Sequence, residues 1–215
     1  MIQTVLFDFD GTLFDTGEGI LRSVQYALEG FGIRETDTAR LRKFVGPPLF
    51  DSFTELYGMQ PEQAQAATER YRERYQPIGV YECEIYPGIP ELLAALKAEG
   101  VQTAVFSNKA DAFCGKIIEH YFGPDSFSLV RGSRPGVPTK PDPAGVYSLM
   151  ADLGADPQST LFVGDSDVDI LTGHNAGLPA LGVLWGFRGE AELTAAGADA
   201  LAAKPEDILT YLHQH

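Results

Sequence analysis

Cysteine and histidine are scarce in this sequence. The two cysteines, Cys83 and Cys114, lie far apart in 215 residues and form no CxxC or Cys/His metal spacing. The four histidines form no HExxH or similar ligand pattern. These gaps argue against a zinc site, and they predict two reduced cysteines that serve as small hydrophobic residues.

Long apolar runs are also missing. No run reaches the roughly 18 residues that a membrane-spanning helix requires. The first apolar run, Ile2–Phe9, contains Asp8 and has no basic leader, so it does not fit a signal peptide. We therefore expect a cytoplasmic protein without a membrane partner.

Positive charge is in short supply. There are 16 Lys and Arg residues against 30 Asp and Glu residues, which gives a formal net charge of −14. Because a nucleic-acid backbone is bound by clustered Lys and Arg side chains, we expect no nucleic-acid partner. Exposed charges are screened beyond about 8 Å at physiological salt, so a small phosphate pocket with its own cations or metal remains compatible with this balance.

Short apolar runs alternate with helix-like stretches through most of the chain. The strand-like runs are Thr4–Phe9, Gln102–Ser107, Ser159–Gly164, Ala180–Trp185 and a weaker one at Phe127–Val130. The helix-like stretches between them are Pro90–Glu99, Ala112–Tyr121, Ala144–Leu153 and Asp167–Ala176. This alternation predicts an α/β fold, a doubly wound parallel sheet with helices on both faces.

Residues 15–80 break the alternation. Their pattern is helical in four stretches, Ile20–Gly30, Thr38–Phe44, Leu49–Tyr57 and Pro61–Tyr75, which glycine and proline divide. No part of this region is typical of a strand. The simplest interpretation is an all-helical domain, 15–80, inserted into a discontinuous α/β core of residues 1–14 and 81–215.

The most informative segment follows the first strand-like run. It has the sequence DFDGTLFD and places Asp8 and Asp10 at the end of that run, with Gly11 next. Ligands of open parallel sheets bind beyond the carboxyl ends of the strands, so both acids are expected at the binding edge. A glycine there lets the backbone approach a ligand and offer its amide to an anion.

Two other strand-like runs end in polar residues. The run ending at residue 106 continues into Ser107–Lys109, and the run ending at residue 164 continues into Asp165 and then Asp169. Lys140 precedes a helix between them. Because the carboxyl ends of parallel strands share one edge of the sheet, these side chains are expected to converge with the two aspartates.

In this order the four segments resemble the four motifs of the haloacid dehalogenase superfamily of phosphohydrolases. Nearly the whole chain is similar to the phosphoglycolate phosphatase-like branch, which has a Rossmann-like core and a helical cap. The resemblance implies that Asp8 is the nucleophile and Asp10 the general acid and base. It also implies that Ser107 and Lys140 bind the transferring phosphoryl group.

The same resemblance implies a magnesium site. Asp8, the main-chain carbonyl of Asp10, and Asp165 would coordinate Mg²⁺, while Asp169 would steady the water shell of the metal or Lys140. Carboxylate, carbonyl and phosphate oxygens are the ligands that Mg²⁺ prefers.

Donors near the nucleophile complete the phosphate-binding set. Besides Ser107 and Lys140, the backbone amides near Gly11 and Asn108 can donate to phosphoryl oxygens, and preorganised donors of this kind usually supply the largest catalytic effect.

The expected partner is a small phosphorylated metabolite, and the oligomeric state, monomer or homodimer, is open.

Substrate specificity is assigned to the inserted domain, by analogy with helical caps. Gly46, in the loop at Val45–Phe50, is the candidate for entering the site, and a plain rigid turn is the alternative interpretation. Arg42 and Lys43 can bring positive charge to a substrate carboxylate, or simply form a solvated helix face. The first candidate substrate is 2-phosphoglycolate; a nucleoside monophosphate, a pyrophosphate and a sugar phosphomutase reaction remain alternatives.

Three rival functions fit less well. A dehalogenase of the same superfamily would need neither Asp10 nor magnesium, because halide leaves without a proton. A phosphonate hydrolase needs a cap lysine suited to imine chemistry, and Lys43 is the only lysine in residues 15–80. A phospho-accepting signalling domain is much shorter and lacks a helical insertion.

Overall fold

The computed structural model describes all residues from 1 to 215 and divides into two compact units, Met1–Phe14 with Ile85–His215, and Asp15–Glu84. Eight strands are present: β1 Thr4–Phe7, β2 Phe14–Asp15, β3 Glu84–Ile85, β4 Gln102–Ala110, β5 Leu129–Ser133, β6 Thr160–Gly164, β7 Ala180–Val183 and β8 Ala200–Ala202. The α-helices are α1 Gly17–Glu29, α2 Thr38–Arg42, α3 Leu49–Tyr57, α4 Pro61–Tyr75, α5 Ile89–Ala98, α6 Asp111–Phe122, α7 Ala144–Leu153, α8 Asp167–Asn175, α9 Glu190–Ala195 and α10 Glu206–Gln214.

The larger unit is built on a six-stranded sheet. Its strand order is β5-β4-β1-β6-β7-β8 and every neighbouring pair is parallel. All four residues of β1 are buried, and Phe7 lies opposite Val105 of β4 and Val163 of β6. The predicted doubly wound α/β fold is confirmed.

The order of the strands creates a crevice beside β1. From β1 the chain continues on one side to β4 and β5, and later returns on the other side to form β6, β7 and β8. Strand order therefore reverses at β1, and in open α/β sheets ligands bind outside the carboxyl ends of the strands at such a point. The carboxyl ends of β4, β1 and β6 lie side by side there.

The sheet is covered by apolar side chains from its helices. One cluster joins strand residues Leu6, Phe106 and Phe162 to Val146 and Leu149 of α7. A fully buried apolar side chain of this size contributes roughly 1.5–3 kcal/mol, so this packing holds the three central strands in register.

The unit Asp15–Glu84 contains four helices. The buried face of α1 includes Ile20, Val24 and Leu28, which recur every fourth residue as expected for an amphipathic helix. Arg74 of α4 donates hydrogen bonds to Glu82 at 2.8 and 3.0 Å, which ties the end of this unit back to α4.

Two elements differ from the sequence-based expectations. β4 extends to Ala110 with a register shift after Phe106, whereas the predicted strand stops near Ser107. No strand was predicted in residues 15–80, but Asp15 is the second residue of the two-residue strand β2. That strand is too short to carry an alternating pattern. Cys83 and Cys114 are both buried, as expected for cysteines that serve as small hydrophobic residues. None of the helices has the length and apolarity to cross a membrane.

Candidate active site

Asp8 is fixed at the carboxyl end of the central strand. Its N–H donates to the Val163 carbonyl at 2.8 Å, and its side chain is buried. The chain then turns at Gly11, whose φ of +88° lies in the left-handed region that favours glycine. A Cβ atom on Gly11 would also overlap the Asp165 carboxylate, so this position has no room for a side chain.

Lys140 lies between two of the aspartates. Its Nζ is 2.6 Å from Asp8 Oδ1 and 2.5 Å from Asp169 Oδ1, and the lysine is 7% exposed. Asn108 holds the backbone of Lys140 at two points: its Oδ1 accepts from the Lys140 N–H at 2.8 Å, and its Nδ2 donates to the Lys140 carbonyl at 3.3 Å. The end of β4 therefore fixes the lysine beside Asp8.

Asp169 is held by the start of α8. Its Oδ2 accepts hydrogen bonds from the backbone N–H of Ser166 at 3.1 Å and from the Ser166 hydroxyl at 2.6 Å. This is the reciprocal capping arrangement that satisfies the free N–H groups of a helix start. The remaining oxygen of Asp169 is the one that contacts Lys140.

Asp8, Asp165 and Asp169 form a buried acidic cluster. One carboxylate oxygen from each lies within 4.8 Å of the others. Burial and the neighbouring Asp169 raise the pKa of Asp8 to about 7. Burial, Asp169 and Asp8 raise the pKa of Asp165 as well. Burial alone would lower the pKa of Lys140, but Asp169 and Asp8 raise it above its ordinary value.

This electrostatic pattern fits a divalent cation. Three buried carboxylates face one buried ammonium group, so two anionic charges at this position lack a cation, and burial together with their mutual repulsion favours protonation. All the donors are oxygen atoms, which hard cations prefer. Asp8, Asp165 and Asp169 are therefore the residues that could hold a divalent metal.

A second lysine pairs with Asp10. Lys109 Nζ is 2.8 Å from Asp10 Oδ1, and the lysine side chain is 5% exposed. Ser107 accepts a hydrogen bond from the Lys109 N–H at 3.3 Å. Lys109 lies among the polar residues expected at this edge of the sheet, but it was not predicted as a site residue. Its position two residues after Ser107 is the signal that could have indicated it.

The segment after β7 also reaches this edge of the sheet. The Trp185 indole N–H donates to the Thr12 carbonyl at 3.0 Å, and the Phe187 N–H donates to Asp165 Oδ2 at 2.7 Å. No motif marks these contacts in the sequence. One is made by a backbone amide, which every residue except proline carries, so the residue types around it give no signal.

The predicted site residues thus divide between the two units. The larger unit contains Asp8, Asp10, Gly11, Ser107, Asn108, Lys140, Asp165 and Asp169, and the contacts above join most of these at one edge of the sheet. The proposed specificity residues belong to the helical unit, where Arg42 ends α2, Lys43 follows it, and the exposed Gly46 has a φ of +105°. Their role in specificity stays a prediction.

Comparison with known proteins identifies relatives of this chain. The family described as haloacid dehalogenase-like hydrolase matches residues 5–183. A 5′-nucleotidase from Pseudomonas aeruginosa is 40% identical over 192 residues, covering 89% of this chain and 86% of that protein. A phosphoglycolate phosphatase from Aquifex aeolicus is 30% identical over 222 residues, covering 100% of this chain and 98% of that protein.

A solved structure of a predicted phosphatase is also similar to this chain. The crystal structure of a predicted phosphatase from Clostridium acetobutylicum superposes with a TM-score of 0.91 at 34% identity, covering 100% of both chains. The predicted superfamily and the predicted enzyme class, a phosphoric monoester hydrolase, are confirmed by these matches. The chain belongs to the haloacid dehalogenase-like hydrolase family, in its phosphoglycolate phosphatase-like branch.

Proposed function

We propose that this chain is a Mg²⁺-dependent phosphatase that hydrolyses a small phosphomonoester through an aspartyl-phosphate intermediate on Asp8. The observation that carries the proposal is the setting of the Asp8 carboxylate. It is buried at the end of the central strand, 2.6 Å from the Lys140 ammonium group and beside the carboxylates of Asp165 and Asp169.

Charge balance explains why such a site suits phosphate chemistry. A phosphate dianion repels a carboxylate nucleophile, so positive charge is required before attack. Asp8, the main-chain carbonyl of Asp10, and Asp165 would hold Mg²⁺, which when bound neutralises phosphoryl oxygens. Lys140 adds a fixed cation, and Ser107 and the amides near Gly11 and Asn108 add hydrogen-bond donors.

The proposed reaction has two displacements at phosphorus. In the first, an Asp8 oxygen forms a bond to phosphorus while the bond to the leaving oxygen breaks, and Asp10 gives that oxygen a proton. In the second, Asp10 takes a proton from water as the water oxygen attacks phosphorus. The Asp8–phosphorus bond then breaks, which releases inorganic phosphate and restores both carboxyl groups.

The helical unit is the proposed cap domain. It begins three residues after the DFDGT segment, and a closing cap would exclude water from the reaction and select the leaving group. Arg42, Lys43 and Gly46 are the proposed specificity residues. The domain bounds 15–80 and 81–215 are part of the same proposal.

Two substrate classes have specific support. The relative named phosphoglycolate phosphatase matches along 100% of this chain, which supports 2-phosphoglycolate. The relative named 5′-nucleotidase is more identical, at 40%, which supports a nucleoside 5′-monophosphate as the second candidate. A pyrophosphatase or phosphomutase activity would use the same core residues.

Phosphate release over a panel of metabolites tests the proposal. The panel contains 2-phosphoglycolate, nucleoside 5′-monophosphates, pyrophosphate and hexose phosphates, each measured with Mg²⁺ and with excess chelator. Asp8→Asn is expected to lose turnover with every substrate. Asp142→Asn is the matched control, because Asp142 is exposed and an asparagine oxygen can still accept from the Ala144 N–H.

Two outcomes would contradict the proposal. Full turnover in excess chelator would remove the metal from the reaction. Turnover by Asp8→Asn comparable to that of Asp142→Asn would remove Asp8 as the nucleophile. Isomerisation of a hexose phosphate without release of phosphate would replace hydrolysis by the mutase alternative.

A further inference from the structure

Three consecutive residues after β7 contact two different parts of the site. Trp185 donates its indole N–H to the Thr12 carbonyl, Phe187 donates its backbone N–H to Asp165 Oδ2, and Gly186 lies between them. Residues 185–187 are called the β7 clamp below. β7 pairs with β6 and not with β1, so the clamp crosses the end of β6 to reach the segment after β1.

Gly186 is the part of the clamp that has no room for change. A Cβ atom at this position would overlap the Asp165 side chain and the Gly11 carbonyl oxygen. A Cβ atom at Gly11 would overlap the same Asp165 carboxylate. The Asp165 side chain is therefore packed closely against two glycines, and one of its oxygens accepts a hydrogen bond from the Phe187 N–H.

Confinement of this kind affects ligand binding. An aspartate that is already held in one rotamer loses little conformational entropy when it binds a cation. Groups that orient a metal-binding carboxylate without touching the metal typically change its affinity by about 10- to 100-fold. The clamp has the geometry of such a group, because it fixes Asp165 relative to the Gly11–Thr12 turn.

We propose that the β7 clamp is a positioning element that fixes Asp165 against the Gly11–Thr12 turn and thereby sets the affinity of the acidic cluster for a divalent cation. The inference rests on the proposed function in that it takes Asp165 as a ligand of the metal. It adds Trp185, Gly186 and Phe187 to the residues on which that site depends.

A matched pair of glycine substitutions tests the clamp. Gly186→Ala forces a methyl group against Asp165, whereas Gly189→Ala adds the same group three residues later, where no heavy atom lies within 4 Å of it. Mg²⁺ affinity is measured by isothermal titration calorimetry on the purified full chain. We expect affinity about 10- to 100-fold weaker in Gly186→Ala and unchanged in Gly189→Ala.

Kinetics provide a second readout that separates positioning from loss of folded protein. In Gly186→Ala the Mg²⁺ concentration for half-maximal phosphate release should rise in proportion to the loss of affinity, while turnover at saturating Mg²⁺ largely recovers. Partial unfolding would instead lower turnover at every Mg²⁺ concentration.

Trp185→Phe is the second variant and decides the question if Gly186→Ala does not fold. It keeps an aromatic ring, although a smaller one, and removes the N–H that donates to Thr12. We expect weaker Mg²⁺ binding here too, by a smaller factor, because the Phe187 hydrogen bond to Asp165 remains.

The outcomes distinguish this inference from the proposed function. Wild-type Mg²⁺ affinity in both Gly186→Ala and Trp185→Phe overturns the clamp and leaves the phosphatase proposal intact. Loss of turnover without any change in Mg²⁺ affinity also overturns it. If the wild-type chain binds no divalent cation, the metal part of the proposed function fails and the inference fails with it.

Discussion

At the scale of single residues, the two aspartates of the DFDGT segment have different partners. Asp8 is 2.6 Å from Lys140 and belongs to the buried acidic cluster, whereas Asp10 is 2.8 Å from Lys109 and lies outside that cluster. Two carboxylates of the same chemical type, two residues apart, therefore pair with different lysines. This difference matches the separate roles proposed for them.

Asp10→Asn is expected to distinguish proton transfer from nucleophilic attack. General acid catalysis typically contributes about 10²- to 10⁴-fold, and it matters most when the leaving oxygen is strongly basic. Hydrolysis of an alkyl phosphate such as 2-phosphoglycolate should therefore fall far more than the first step with p-nitrophenyl phosphate, whose phenolate leaves without a proton. Rapid mixing measures that step as a burst of p-nitrophenolate.

Asp8→Asn is the comparison for this experiment, because it should abolish both reactions. Fast alkyl phosphate hydrolysis by Asp10→Asn would show that another residue is the acid. Loss of the p-nitrophenolate burst with Mg²⁺ affinity intact would show that Asp10 does more than transfer a proton.

A second prediction at this scale concerns Asn108. Asn108→Ala removes both hydrogen bonds that hold the Lys140 backbone, so the lysine should no longer be fixed beside Asp8. We expect weaker inhibition by beryllofluoride and a loss of about 1–3 kcal/mol of stability, since backbone groups of Lys140 lose their partner. Inhibition constants and chemical denaturation measure the two effects.

Asn175→Ala is the matched control for that change. Its side chain donates to the Pro141 carbonyl at 3.0 Å, one residue beyond Lys140, and lies on the exposed surface. Equal weakening of beryllofluoride inhibition by both variants would show that the Asn108 contacts do not act through Lys140.

At the scale of elements, most segments with a clear apolar pattern could be predicted, and most segments without one could not. α3, α4 and α7 have the predicted bounds, because each carries a helical apolar pattern between turn residues. The three-residue strand β8, and the short helix α9 before it, lie in an alanine-rich stretch without such a pattern. β8 exists because β7 offers it a partner, and pairing across the sheet leaves no local signature.

The same limit applies to the site. Asp8, Asp165 and Lys140 could be selected because each follows a strand or precedes a helix in a recognisable order. The pairing of Lys109 with Asp10 joins residues 99 apart in the chain, and that of Trp185 with Thr12 joins residues 173 apart. Such partners depend on the register and order of the strands, which the sequence alone did not specify.

A prediction at the element scale concerns the pH dependence of stability in the helical unit. Hydrogen bonding from Arg74, with further contributions from Arg22, lowers the pKa of Glu82 below its ordinary value of 4.5. The stabilisation that Glu82 contributes is therefore complete above pH 4.5. It is lost as the pH falls through the lower pKa that Glu82 has in the folded protein. We expect the thermal midpoint to fall over that acid range, and to fall less in Glu82→Gln.

Glu73→Gln is the control for this prediction. Glu73 is an exposed residue of α4, the helix that also carries Arg74. Its substitution should leave the pH dependence of the thermal midpoint unchanged. An identical acid dependence in Glu82→Gln and the wild type would show that the ion pair does not stabilise the fold.

At the scale of the whole molecule, metal binding should stabilise the fold. The acidic cluster draws its aspartates from the ends of β1 and β6 and from the first turn of α8, so it exists only in the folded chain. At a hundred times its dissociation constant, Mg²⁺ should add about 2.7 kcal/mol of stability. For a chain of this size that corresponds to roughly 5–11 °C in thermal midpoint, measured by calorimetry with and without chelator.

Sodium chloride at matched ionic strength and Asp165→Asn are the controls for this shift. Both should lack it, the first because a monovalent salt only screens charge, and the second because the cluster loses a ligand. An equal rise with sodium chloride would mean that Mg²⁺ acts through general screening of the net charge of −14.

Trp185 is the one tryptophan in the chain, and its indole N–H donates a hydrogen bond to the carbonyl of Thr12, two residues from Asp10. Indole fluorescence therefore comes from a single residue, which lies at the edge of the candidate site. No tryptophan signal comes from the unit Asp15–Glu84. Indole emission shifts in colour and intensity with the hydrogen bond and the local field. The protein thus carries a native optical probe of its acidic cluster, and stopped-flow fluorescence can follow cation and phosphate binding without a label.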